Sequence, residues 1–501
     1  MSGASVGAAV PTARIRAALE RAGQLVSVRG TLPLQVASIT DDSRRVAPAV
    51  CFVAVRGALR DGHGFLPSVA AGGATCVIAE DPTGTELPAL IVRESRVAAA
   101  VAAAAFHGEP AKALRFVGVT GTNGKTTTVG ILRHLLDTPD APAASIGTLG
   151  VLVGSHGSVL PGGEGLTTPG PIELQRLLRA LVDHGVRTVA MEVSSHALHQ
   201  QRVLGVRFDA AVFTNLTRDH LDYHETMEAY LAAKALLVGL LAERGAAVVN
   251  ADDASWRGLP APPRTIRFGL TDPSAEVRAT DVRFEPRGSI WQLEAGGTAA
   301  RVTLPLIGDF NVANALGAAA AAIALGVGVQ HVAARLCAVP QVPGRLELLS
   351  EHPAVLRDYA HTPDALERAL VALRPFTPGR LIVLFGCGGD RDRGKRPLMA
   401  KVAQAHADHL VVTSDNPRTE DPEAILDEIV APLEKGRYDR IEDRRQAIAH
   451  AVALADPGRD LVLLAGKGHE TYQIRGTTTL PFDEKLIVHA LLTSSGARVS
   501  R

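Results

Sequence analysis

Cysteine is scarce in this chain: 501 residues contain four, Cys51, Cys76, Cys337 and Cys387, scattered without CxxC spacing. Neither a disulfide framework nor a cysteine zinc site is indicated, which fits a reducing cytoplasm. An excess of one charge is missing too, since 52 Lys and Arg face 52 Asp and Glu. That balance removes any general electrostatic basis for binding nucleic acid or membrane, so an anionic ligand must be held by a local site. Long hydrophobic runs are absent: the alanine-rich stretch 97–106 falls well short of the ~20 residues a spanning helix needs, and the first residues lack a basic-then-apolar leader pattern. No internal repeat or low-complexity tail stands out. The expectation is a cytoplasmic monomer without nucleic-acid or membrane partners.

What is present is an ordinary globular composition, 46% apolar and 21% charged, spread over a length that suggests about three domains. In 1–107, short apolar strands at 25–28, 51–55 and 76–79 alternate with helices at 12–22 and 97–106. The stretch His107-Gly108-Glu109-Pro110-Ala111-Lys112-Ala113 reads as a linker. From 108 to 342, apolar strands at 115–119, 188–192, 210–214 and 246–250 alternate with amphipathic helices, a pattern that implies a mostly parallel sheet covered on both faces. Val339-Pro340-Gln341-Val342-Pro343-Gly344 breaks the pattern again. In 343–501, strands at 381–385, 410–413 and 461–465 alternate with helices at 363–373, 397–407 and 447–453. The predicted fold class is α/β: three domains, a central parallel-sheet nucleotide-loop domain and a C-terminal doubly wound, Rossmann-like domain.

The first chemical signal is Gly118-Val119-Thr120-Gly121-Thr122-Asn123-Gly124-Lys125-Thr126-Thr127, where a buried strand runs into a glycine-rich turn and then a helix. Such a turn aims backbone N–H groups and a helix N-terminus at one point, which suits phosphate. Lys125 would reach the outer phosphates and the Thr126 hydroxyl a Mg²⁺ ion. The fit to G-x-x-x-x-G-K-[ST] is imperfect, because Val119 stands where the template has glycine. Glu192, at the end of a downstream strand, is a candidate Mg²⁺ ligand, since that ion accepts one or two carboxylates completed by water and phosphate. The dense polar run 215–224 follows another strand. His224 in it reads equally as a site residue or a helix cap. Lys234, on a helical stretch, would ordinarily be a surface residue with its stem snorkelled along the protein.

The wording Gly121-Thr122-Asn123-Gly124-Lys125-Thr126-Thr127 resembles the ATP loop of the Mur ligase family, the amide-forming ligases of peptidoglycan precursor synthesis and their folylpolyglutamate synthetase relatives. The resemblance implies a carbamylated Lys234 as an anionic magnesium ligand, from Ala-Ala-Lys-x-x-Leu, and His220 helping to hold a second Mg²⁺, from Asn-x-Thr-x-Asp-His. It places Asn311 near the adenine and has Arg345 and Asp358 close over ATP. Thr167, Thr168, Ser194, Gln200 and Arg202 correspond to contacts with a muramoyl dipeptide, and Ser43, in a looser match, to the UDP-binding portion. Residues 58–60 are left unassigned.

The family implies that ATP activates a carboxylate as an acyl phosphate, which an amine then attacks, with Mg²⁺ as cofactor. The closest members add the third residue to UDP-N-acetylmuramoyl-L-alanyl-D-glutamate. Within them, Asp415-Asn416-Pro417-Arg418, with Arg391, Gly466 and Glu470, implies meso-2,6-diaminopimelate as the added amino acid. Arg418 offers a planar fork for the distal carboxylate, and Glu470 a partner for the distal ammonium. L-Lysine as the added residue is the alternative. A nucleotide-dependent switch protein is the rival of another class.

Overall fold

The computed structural model describes residues 9–57, 60–163 and 165–496, so part of the unassigned stretch 58–60 lies outside it. The chain forms two compact units. One comprises the residues up to Arg278 together with Leu316–Val332, the other Ala279–Ala315 together with the residues from Ala333 onward. The segment expected as one domain, 108–342, is therefore shared between the two. Among the described residues, no helix is long and apolar enough to cross a membrane.

Besides a two-stranded pair of Val10–Pro11 and Gln35–Val36, the first unit holds two larger sheets. The smaller has the order Leu25–Arg29, Ala89–Val92, Cys76–Ala79, Val50–Val53, Ser38–Thr40, with only its first strand antiparallel. Ile15 and Leu19 of helix Thr12–Arg21 and the alanine face of helix Ser95–Phe106 close its core. Ile172, from helix Pro171–Asp183, belongs to the same core, which is the physical reason that 1–107 merges with the central sheet in one unit.

The larger sheet places Arg115–Thr120 between Thr188–Glu192 and Phe208–Phe213, all parallel. Ala143–Gly147 lies beyond Thr188–Glu192, and Leu241–Asn250 then Arg264–Gly269 lie beyond Phe208–Phe213, still parallel. An antiparallel edge, Gly150–Val153 and Ser158–Leu160, extends the sheet on one side. Because the three central strands run the same way, the loops at their ends leave at one carboxyl edge, where open α/β sheets bind ligands.

The second unit contains a six-stranded sheet, ordered Glu347–Glu351, Ala354–Asp358, Leu461–Ala465, Leu381–Phe385, His409–Val412, Tyr438–Arg440. All neighbours but the first pair are parallel. Leu381, Val383 and Phe385 pack with helices Pro363–Leu373, Lys395–His406 and Pro422–Val430. The intervening Ile382 and Leu384 pack with Arg444–Leu454 and Glu484–Gly496. This alternation is the period-2 signature of a strand covered on both faces, as a doubly wound unit requires. A hairpin of Gly288–Ala295 and Thr298–Leu304 also belongs to this unit.

Candidate active site

In the first unit the glycine-rich turn is held from outside. Gly121 has φ 148°, and a Cβ there would collide with Thr214 Oγ1, so only glycine fits. Gly124 at φ 85° caps helix Lys125–Leu136. The opening backbone of the turn is pinned by Asn215: its carbonyl accepts from Thr122 N at 2.8 Å, its Oδ1 accepts from Asn123 N at 2.9 Å, and its Nδ2 donates to Asn123 O at 3.2 Å. Thr214 Oγ1 donates to Asn123 O at 2.7 Å. Asn215 opens the Asn-x-Thr-x-Asp-His motif, which assigns a role only to its histidine; the fold reveals that Asn215 shapes the loop.

Lys125 Nζ donates to the carbonyls of Gly121 and Thr122 at 2.9 and 2.8 Å. Lys234, 1% exposed on helix Met227–Ala235, donates to Gly121 O at 2.8 Å and lies 4.4 Å from the Tyr230 ring centroid. Burial pushes the Lys234 ammonium well below its usual pKa, and the nearby Lys125 charge lowers it further. The surface reading of this lysine is thereby excluded.

Glu192, also 1% exposed, ends its strand beside the loop. Its Oε2 accepts from Thr126 Oγ1 at 3.1 Å, and Thr148 donates to it through both N, at 2.8 Å to Oε1, and Oγ1, at 3.2 Å to Oε2. The same network runs into the residues expected for the dipeptide. Thr148 Oγ1 lies 3.3 Å from Thr167 Oγ1, and Thr168 Oγ1 donates to Glu192 O at 2.9 Å and lies 3.4 Å from Ser194 Oγ. Arg202 donates to Thr168 O at 3.1 Å and to Gln200 Oε1 at 2.7 Å. Thr126, Glu192, Thr167, Thr168, Ser194, Gln200 and Arg202 thus form one continuous set. Thr148 joins them without any motif that could have announced it.

His220 adopts φ 54°, and its ring lies 4.8 Å from that of His196, centroid to centroid. Burial lowers the pKa of both, that of His196 to about 4. His224 is buried and its Nε2 lies 2.9 Å from Ser195 Oγ, a structural pairing. Ser43 sits apart, in the turn Ser43–Arg45 where Asp42 accepts from Arg44 N. Among the described residues no cluster of three His, Cys, Asp or Glu could hold a metal by itself. A lone glutamate beside a threonine hydroxyl at the phosphate-type loop nevertheless suits Mg²⁺, which takes its remaining oxygens from water and phosphate.

In the second unit, Asn311 is buried at the start of helix Asp309–Ala324, where its Nδ2 donates to Ile307 O at 2.8 Å and its Oδ1 accepts from Asn314 at 3.2 Å. The Arg345 guanidinium lies over the Tyr359 ring at 5.0 Å. Asp358 accepts from Leu346 N and Ala360 N at 2.7 and 2.8 Å, and burial raises its pKa while Arg345 opposes the rise.

The residues expected for the amino acid converge. Asn416 Nδ2 donates to Glu470 Oε2 at 2.8 Å. Arg418, at φ 52°, donates from Nη1 to Gly389 O at 2.8 Å. A Cβ added at Gly388 would sit 2.8 Å from Arg418 Nη1 and 3.8 Å from Arg391 Cγ, so both side chains pass close to Gly388. Gly466, at φ 112°, is packed against Asp415 Oδ2. Sequence reasoning passes over Lys467, whose fully buried Nζ donates to Asn416 Oδ1 at 3.0 Å, Glu470 Oε2 at 3.2 Å and Tyr472 O at 2.7 Å.

A parallel sheet with a phosphate-type loop at its carboxyl edge and a separate doubly wound unit define the class. Residues 119–322 match the Mur ligase middle domain and 344–468 the Mur ligase, glutamate ligase domain; the chain belongs to the Mur ligase family. Over 486 residues, 95% of this chain and 97% of the relative, it is 45% identical to UDP-N-acetylmuramoyl-L-alanyl-D-glutamate--2,6-diaminopimelate ligase of Gloeobacter violaceus. A solved structure of a protein of that name is 33% identical, with TM-score 0.65, covering 94% of this chain and 98% of the other. The fold is shared also with a MurF ligase from Thermotoga maritima in complex with ADP, at 21% identity and TM-score 0.61, covering 86% of this chain and 94% of that one.

Proposed function

We propose that this protein is an ATP-dependent, ADP-forming ligase that joins meso-2,6-diaminopimelate to UDP-N-acetylmuramoyl-L-alanyl-D-glutamate, acting in the cytoplasm in peptidoglycan precursor synthesis. The observation that carries this reading is the convergence of Arg418 and Arg391 on one glycine loop with Asn416 bonded to Glu470. Both charges at the far end of diaminopimelate then have partners: the carboxylate meets a planar guanidinium, the ammonium meets Glu470. L-Lysine brings only an ammonium toward Arg418. We assign 1–107 to the UDP substrate, with Ser43 as a contact, 108–342 to ATP and 343–501 to the amino acid.

In this reading the backbone of 121–127 cradles the phosphates, Lys125 neutralises charge on the γ-phosphoryl group as it passes to the dipeptide carboxylate, and Asn311, Arg345 and Asp358 hold the nucleotide. Thr167, Thr168, Ser194, Gln200 and Arg202 orient the dipeptide. Thr126, Glu192, His220 and carbamylated Lys234 would hold Mg²⁺, which when bound supplies positive charge to the transferring phosphoryl group. The amine of the incoming amino acid displaces phosphate and forms the amide, so no protein nucleophile is needed.

The test is ADP release by the purified protein. The reading expects release that requires the UDP-dipeptide and diaminopimelate together. Hydrolysis that ignores both would favour a nucleotide switch, and equal turnover of L-lysine would remove the assigned specificity.

A further inference from the structure

Beneath the two loops that bear the proposed amino-acid contacts lies a charge pair sealed from solvent. Arg444 opens helix Arg444–Leu454 and Glu484 opens helix Glu484–Gly496, and both side chains are 0% exposed. Arg444 Nε and Nη2 each lie 2.8 Å from Glu484 Oε1. The rest of the fork goes to main chain: Nη1 donates to Ser414 O at 3.3 Å and Nη2 to Ala465 O at 2.9 Å.

Those carbonyls immediately precede Asp415 and Gly466, the first residues of the two loops. The strands that feed the loops, His409–Val412 and Leu461–Ala465, are not neighbours; Leu381–Phe385 lies between them. No direct sheet hydrogen bond therefore joins the two loop bases, which the sheet links only through Leu381–Phe385. A guanidinium is rigid and planar, with donors at fixed angles, so it can fix the distance between them where a flexible ammonium cannot. At the outer end the loops meet again through Asn416, Glu470 and Lys467.

Stability alone does not account for the pair. Glu484 Oε2 is buried without a hydrogen-bond partner, an unfavourable detail, and well-packed apolar residues of similar volume often replace a buried ion pair without loss. We propose that Arg444, anchored by Glu484, is a positioning residue: it sets the gap between loops 415–418 and 466–470 so that Arg418 and Glu470 together grip the far end of the incoming amino acid. This rests on the ligase reading above.

The experiment measures thermal melting and steady-state ligation for full-length Arg444→Lys, Glu484→Gln and the double variant Arg444→Met/Glu484→Met. In the variants that fold, the KM for diaminopimelate is expected to rise roughly tenfold or more, as a loop misplaced by about 1 Å allows. Their KM for ATP should stay close to that of the wild type, and their preference over L-lysine should shrink. The double variant is expected to melt near the wild type and still fail to recover the KM, which separates positioning from stability. An unchanged diaminopimelate KM in any folded variant, a parallel rise in the ATP KM, or failure of all three to fold would overturn the proposal. A wild type without amino-acid-dependent ADP release would instead remove the ligase reading itself.

Discussion

Lys125 and Lys234 donate to the same acceptor, the carbonyl oxygen of Gly121, at 2.9 and 2.8 Å. Two cations on one carbonyl repel each other, and only one of them is sealed from water. Lys234 is the buried one, and its proton is therefore the one the fold disfavours: burial acts first, the Lys125 charge second.

Lys125→Ala should lose ligation by on the order of 10²–10³-fold, the scale for removing one group that steadies developing charge, while thermal melting stays near the wild type. It should also raise the Lys234 pKa, because the second cause of its depression is gone. Near-normal turnover, or a CO₂ modification of Lys234 whose pH dependence is unmoved, would contradict these roles.

Lys234→Ala should be nearly inactive and partly recovered by a small carboxylic acid such as acetate, since the missing group is proposed to act as an anion. Carbamylation needs the neutral amine, which the lowered pKa of the buried Lys234 favours. Full activity of Lys234→Ala would end the assignment.

Gly147→Ala tests the placement of Glu192. A Cβ at Gly147 would collide with Glu192 Oε1, yet Gly147 is outside the left-handed region and its backbone accepts alanine. The carboxylate must swing away while the fold survives. Activity should fall roughly tenfold or more for a ligand shifted by about 1 Å, and the Mg²⁺ needed for half-maximal rate should rise. An unchanged Mg²⁺ requirement would place the metal elsewhere.

Arg418→Ala should erase the preference for diaminopimelate over L-lysine, which polar recognition can bring to on the order of 10⁴-fold in the wild type. Competition between the two amino acids in one reaction reads this directly; a preserved preference in the variant would point to another reader of the distal carboxylate.

Acid should weaken the fold through half-buried histidines. Burial lowers the pKa of His107 and of His469 from 6.5 to about 4. Between those values the unfolded chain binds protons that the folded chain refuses, so stability present above pH 6.5 is lost as pH falls toward 4. Melting followed across that window should show a shallower decline in His107→Gln than in the wild type. Identical slopes would mean that His107 is not shielded.

The strands Leu381–Phe385 and Leu461–Ala465 are legible to the residue because each is an unbroken apolar run buried on both faces, and Thr188–Glu192 because its buried apolar centre is bounded by a threonine and a glutamate. The hairpin Gly288–Ala295 and Thr298–Leu304 escapes the sequence reading, although its alternation and the Gly296-Gly297 turn, both at positive φ, spell a two-residue hairpin. In the site, residues tied to a motif are legible: Lys125, Glu192, Lys234 and Glu470. Asn215, Thr148 and Lys467 are not, because each acts on groups 44 to 92 positions away or through a backbone atom that any residue could offer. The Arg444–Glu484 pair spans 40 positions and has no local pattern at all.

Lys234 and Lys467 are both almost fully covered, at 1% and 0% exposure. A bulky acylating reagent cannot reach either amine while the protein is closed, whereas CO₂ is small enough to enter. The two lysines are built-in reporters of breathing: label appearing on Lys234 or Lys467 would time the opening of the unit that contains it.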